Sequence, residues 1–188
     1  MANVNDIHPD AGELIDFWFS PRVEKLWFNS TPAFDQELRD RYADTYAAAC
    51  RGECDIWQTS PPGALALVIV FDQIPLNIFR GQQQSFASEA RARAVAEKAI
   101  GNGFDAYLSD AQKAFLYLPY MHSENLADQD RSVVLYTAAG LENNLRFARH
   151  HREIVRRFGR FPHRNAILGR QSTDEELAWL ASKDAFKG

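Results

Sequence analysis

Residues 61–81, PPGALALVIVFDQIPLNIFRG, decide what kind of fold this chain adopts. Ala64 to Phe71 form its longest uninterrupted apolar run, and a short run of this kind has no diagnostic period. Val68, Ile69 and Val70 are β-branched and favour extended chain. A strand, however, needs a partner, because a lone one leaves its backbone N–H and C=O groups unpaired. The sequence offers no second strand to pair with it. The reading is therefore a buried helix that begins at the Pro61 and Pro62 pair and is broken or kinked near Pro75.

Helical signals continue on both sides of this segment. Thr31 and Pro32 open a helix as N-cap and first-turn proline, with Phe34, Leu38 and Tyr42 at spacings of four and Gly52 closing it. Ser85 to Ile100 is rich in Ala, Glu and Arg and stops at Gly101 and Gly103. Ser109 heads AQKAFLYL, which Pro119 is expected to stop, and Asp128 to Ala139 reads as a further helix. Between Leu141 and Phe158, the positions Phe147, His151, Ile154 and Phe158 form one helical stripe, and Gly159 is placed as its C-cap. Ser172 and Thr173, with Glu175 and Glu176 three residues on, form a capping box for a last helix. The expectation is an all-α single domain, 1–188, of roughly antiparallel helices with no sheet.

Composition bounds the function classes. At 188 residues, with 46% apolar and 24% charged residues, the chain is an ordinary folded protein. The N-terminal MANVNDIHPDAGE lacks the basic start and apolar stretch of a secretory signal, and no run approaches the roughly 20 apolar residues of a membrane span. A soluble cytoplasmic protein with no membrane partner is expected. Cys50 and Cys54 match neither a CxxC pair nor a zinc-ribbon half, so they read as reduced thiols. Net charge is −4, yet Arg146 to Arg170 hold eight Arg and one acid, Glu153, with no Lys. Guanidinium is a planar donor fork suited to carboxylate or phosphate. These arginines either pair with the acidic remainder of the chain or meet an anionic ligand. Nucleic acid is not expected as a partner, given the acidic total and the lack of a binding motif.

Three polar clusters interrupt apolar surroundings. Asp72, Gln73, Asn77 and Arg80 follow the apolar run, and a carboxylate there is costly unless paired, with Arg80 or the later arginines as its neutraliser. His122, Ser123 and Glu124 are consecutive after Pro119, which does not make a triad. Blandly read, Ser123 caps the next helix. His151 lies on the apolar stripe, and a lone histidine there is ordinarily a hydrogen-bonded core residue. Beyond Gly159, FGRFPHRN (158–165) presents Arg160, His163, Arg164 and Asn165 on a turn that glycine and proline hold rigid, a good mount for ligand-facing side chains. Cations near a helix C-terminus account for Arg156, Arg157 and Arg160 but not for Arg164 and Asn165. No metal spacing of the HExxH type occurs, and neither metal nor cofactor is expected.

These residues carry a resemblance. LIDFWF (14–19), LWF (26–28), LALVIVFDQIPLNIFRG (65–81), FLYLPYMHSE (115–124), HREIVRRFGRFPHRNAILGR (151–170) and STDEE (172–176) together resemble the bacterial family of unknown function termed DUF924. The resemblance implies a tetratricopeptide-like α-α superhelix and carries no activity with it. It implies that the polar residues of the three clusters recur. Leu76 departs from the family pattern DQxPRN, which usually has Arg there.

The leading expectation is that the clusters line one concave pocket for an anionic small molecule or acidic peptide. Arg80, Arg160 and Arg164 would clamp the ligand, Gln73, Asn77 and Asn165 orient it, Asp72 and Glu124 hold the arginines, and Trp27 with Phe28 form an aromatic wall. The rival is a hydrolase-type enzyme, metal-free or metal-assisted, with His122, His151 or His163 as general base. A third reading is a helical scaffold that acts through its outer surface.

Overall fold

The structure is a computed structural model that describes residues 11–183 and 185. Among them every regular element is helical: α1 (Ala11–Trp18), α2 (Pro21–Glu24), α3 (Pro32–Cys50), α4 (Pro61–Ile78), α5 (Glu89–Gly101), α6 (Asp110–Met121), α7 (Leu126–Ala138), α8 (Glu142–Phe158) and α9 (Asp174–Leu180). The chain is all-α. It divides into two compact units, the described part of Met1–Arg80 with Gln84–Pro119, and Gly81–Gln83 with the described part of Tyr120–Gly188.

In the first unit α4 is the core, packed against α1, α3 and α5. Every residue from Gly63 to Pro75 is buried. Seven of its side chains, Leu65, Leu67, Val68, Ile69, Val70, Ile74 and Ile78, are at most 1% exposed. At ~1.5–3 kcal/mol each, their burial stabilises the fold by roughly 10–20 kcal/mol. Five β-branched residues in a helix cost at most about 3.5 kcal/mol in propensity, so burial decides the conformation. By length and composition α4 could also cross a membrane, but 83% of it is buried inside the protein, which is what a core helix requires. Its entry is tight: a Cβ on Gly63 would lie 2.2 Å from the Trp57 carbonyl oxygen.

A break or kink near Pro75 and a stop at Pro119 are the expectations from sequence, and neither helix ends at its proline. α4 runs through Pro75 to Ile78, and α6 runs through Pro119 to Met121. Pro75 has no N–H for the Phe71 carbonyl one turn back. That oxygen instead accepts a hydrogen bond from Ser88 Oγ at 2.6 Å. Ser88 thereby supplies the donor that proline lacks, and α5 begins at Glu89 without a side-chain cap, four residues later than the sequence suggests. Beyond Pro119, Tyr120 and Met121 are both buried, which favours continuing the helix.

In the second unit α7 packs on α8, and α9 packs against a 3-10 turn at Pro162–Arg164. Ile154, Val155, Phe161 and Trp179 form its buried centre. The buried face of α8 is Leu145, Ala148, His151, Ile154 and Val155. Phe147, placed on that stripe by spacing alone, is 46% exposed, with the Arg146 guanidinium over its ring. Gly159 ends α8 in the left-handed conformation (φ 70°) that a helix-terminating glycine provides.

Candidate functional site

The expected site residues fall into two groups, one in each unit. In the first, Asp72, Gln73 and Asn77 are buried on the last two turns of α4. Gln73 Nε2 donates to Asp72 Oδ2 at 2.5 Å, and Asn77 Nδ2 donates to the Gln73 carbonyl at 2.8 Å. Arg80 forks onto Asp35, Nε to Oδ2 at 2.7 Å and Nη2 to Oδ1 at 3.0 Å, and also donates to Asn77 Oδ1. Burial works to raise the Asp35 carboxyl, but hydrogen bonds from Arg80 and Ser30 and the charges of Arg80 and Arg39 hold it below its ordinary value. Arg80 is thus engaged by an acid 45 residues away that the sequence did not single out. Trp27 Nε1 donates to the Trp18 carbonyl at 2.9 Å while its ring meets Phe115 edge-on at 4.7 Å. Phe28 lies parallel to Phe115 and is 74% exposed.

The second group is built on three consecutive carbonyls between α6 and α7. Gln129 Nε2 donates to the Met121 and Ser123 carbonyls, both at 2.7 Å, and Arg164 Nη2 donates to the His122 carbonyl at 3.0 Å. Ser123 Oγ donates to Asp128 Oδ2 and accepts from the Asn125 amide; Asn125, not Ser123, caps α7. The backbone under His122 is therefore fixed by side chains from two other elements. A mount of this kind holds a functional side chain in one place.

Glu124 extends the network. Its carboxylate takes both terminal nitrogens of Arg170 (2.6 and 2.8 Å) and the Phe161 amide (2.7 Å). Burial pushes this carboxyl up, yet the Arg170 hydrogen bonds, the Phe161 amide and the charges of Arg170 and Arg164 together hold it below its ordinary value. Arg170 also donates to Asn165 Oδ1 and the Phe161 carbonyl. Arg160 forks onto Glu176 at 2.6 and 2.8 Å, and Asn165 Nδ2 donates to Glu176 and Ser172. Glu176 further accepts from the Thr173 amide in the capping box, and the Arg160 hydrogen bonds lead these partners in drawing its carboxyl down to about 2. Arg170, Glu176 and Gln129 are members that sequence reasoning missed. Arg170 stood in the basic segment and Glu176 in the capping box, but neither position signals a distant partner.

Around the Phe161 ring three side chains gather: the Arg164 guanidinium at 4.7 Å, His151 at 5.5 Å and His163 at 5.6 Å. His151 and Arg164 are buried, whereas His122 and His163 are partly open to solvent. Nδ1 of His151 bonds the Phe147 carbonyl at 2.9 Å, so that nitrogen carries the proton. Burial lowers the His151 pKa to about 3, helped by His122, His150 and His163. His163 is lowered to about 4 by burial first and Arg164 next, with Glu124 opposing and His122 and Arg170 assisting. Both imidazoles are neutral at physiological pH. Among the described residues no three His, Cys, Asp or Glu side chains are grouped to hold a metal ion.

A family model for bacterial proteins of unknown function, DUF924, matches residues 14–184. A solved structure of a protein of unknown function from Agrobacterium tumefaciens is 41% identical to this chain, covers 91% of it and 96% of itself, and superposes with a TM-score of 0.87. No curated protein matches the chain significantly.

Proposed function

We propose, from the premise that this chain belongs to DUF924, a family of bacterial proteins of unknown function, that its second unit binds a small anion through His122, His163 and Arg164. The observation that carries this reading is the company around Phe161. Arg164, His151 and His163 pack on one ring, and the carboxylate beside them, Glu124, already has both oxygens committed to Arg170 and the Phe161 amide. A guanidinium and imidazoles gathered on one ring, beside a carboxylate that is already held, suit an oxyanion or carboxylate. A guanidinium matches the planar geometry of carboxylate and phosphate, and a neutral imidazole carries one N–H. The ligand class is a carboxylate- or phosphate-bearing small molecule, or the end of an acidic peptide. Arg160, with its fork closed on Glu176, serves to fix the turn on which the site is mounted.

The enzyme reading has less support from the same geometry. A general base works best with a pKa near the operating pH. His151 and His163, at about 3 and about 4, are weak proton acceptors there, which leaves His122 as the candidate. Free thiols at Cys50 and Cys54 accord with a reducing compartment, and we place the site of action in the cytoplasm.

Thermal unfolding with sulfate, phosphate or succinate, against chloride at matched ionic strength, tests the binding reading. Ligand at a hundred times Kd stabilises by about 2.7 kcal/mol, roughly 5–10 °C for a chain of this size. Arg164→Lys and His163→Gln are expected to shrink that rise. If none of the three anions outperforms chloride, the reading is wrong.

A further inference from the structure

We infer that the anion enters this site together with one proton, taken from solvent by the His163 imidazole. The inference rests on the binding reading above and adds the protonation state of the occupied site.

The argument is one of local charge. His163 sits on the Pro162–Arg164 turn with Arg164 next to it in sequence. Arg170 reaches the same place from the following segment, His122 and Glu124 from the segment before α7, and His151 from α8 on the shared Phe161 ring. Of these, Glu124 favours a charged imidazole, and its charge is already answered by the bidentate Arg170. Burial first, and then the charges of Arg164, His122 and Arg170, disfavour a cation on His163, so the ring stays neutral, with a pKa of about 4. An anion seated against Arg164 reverses that balance. An opposite charge within ~4–6 Å favours the charged form, which moves the His163 pKa up towards neutrality. Binding and protonation then reinforce each other over the range in which the free site is neutral and the occupied site is charged. His151, more deeply buried and lower still, does not follow.

Sulfate is the probe, because it stays fully ionised over the whole range and brings no proton of its own. Calorimetric titration of the full chain with sulfate, at pH values from 7 to 5 and in two buffers of different ionisation enthalpy, reads affinity and proton uptake together. The expected result is affinity that rises towards about tenfold per pH unit as pH falls, with uptake approaching one proton per sulfate. His163→Gln is expected to bind sulfate with a flat pH profile and buffer-independent heat. Should that variant fail to fold, NMR titration of His163 in the native chain gives the same answer, its pKa rising when sulfate is saturating. Absence of sulfate binding at every pH removes the anion site itself. Binding without proton uptake, a slope that persists in His163→Gln, or a His163 pKa unmoved by sulfate overturns the proton coupling and leaves the site standing.

Discussion

Replacing Glu124 with Gln removes one charge and one acceptor oxygen and leaves the shape of the side chain. Three contacts depend on that carboxylate: two nitrogens of Arg170 and the amide of Phe161. Fully buried ion pairs cost 3–5 kcal/mol to break, exposed ones at most about 1. With side chains 22% and 25% exposed, the Arg170 and Glu124 pair lies between, and Glu124→Gln is expected to destabilise the second unit by about 2 kcal/mol. Arg170 would keep Asn165 and the Phe161 carbonyl as acceptors, which limits the damage to its turn. The assay is native-state amide exchange, because it reads each unit separately where a single melting curve would not. Protection should fall at 121–129 and 159–170, with the Phe161 amide affected most. A cycle with Arg170→Met should give a coupling of about 1–2 kcal/mol. Unchanged protection in both segments, or strictly additive variants, would refute the idea that Glu124 ties them together.

Ser88→Ala should cost about 1–2 kcal/mol by leaving the Phe71 carbonyl unsatisfied, and Pro75→Ala in that background should recover part of it by restoring the backbone donor; urea midpoints of the native chain, the two single variants and the double variant test this. Gly63→Ala should lower the midpoint severely, since its Cβ would collide with the Trp57 carbonyl, whereas Gly101→Ala, in open space at the end of α5, should be neutral or stabilise by up to about 1 kcal/mol. Because the folded pKa values of His151 and His163 lie below the ordinary 6.5, the unfolded chain protonates first as pH falls. The stability these neutral rings allow is complete above about pH 6.5 and is lost towards pH 4 and then 3, at up to ~1.4 kcal/mol per pH unit for each; His163→Gln should flatten the upper part of that limb in urea titrations. Glu176, lowered to about 2, contributes stability that is present above its ordinary 4.5 and lost as pH falls through 2, and Glu176→Gln should remove that acid-side component.

The sequence by itself determined the helices from α3 onward, because their signals are local; α1 and α2 were not read from it. Thr31 with Pro32, Thr173 with Glu176, and Gly159 each act within a turn of where they stand. The apolar run of α4 admits a strand by propensity, and the lack of any partner strand is enough to exclude it. What local signals cannot report is where a freed backbone group finds its substitute: Pro75 reads as a break or kink until the fold brings Ser88 to the Phe71 carbonyl. The same limit governs the site. The chemistry of Arg80, Glu124 and Arg164 was legible as costly polar groups among apolar neighbours, but their partners lie 45, 46 and 42 residues away. A guanidinium satisfies any acceptor it meets, so only tertiary structure decides which arginines are closed on internal acids and which face the imidazoles around Phe161.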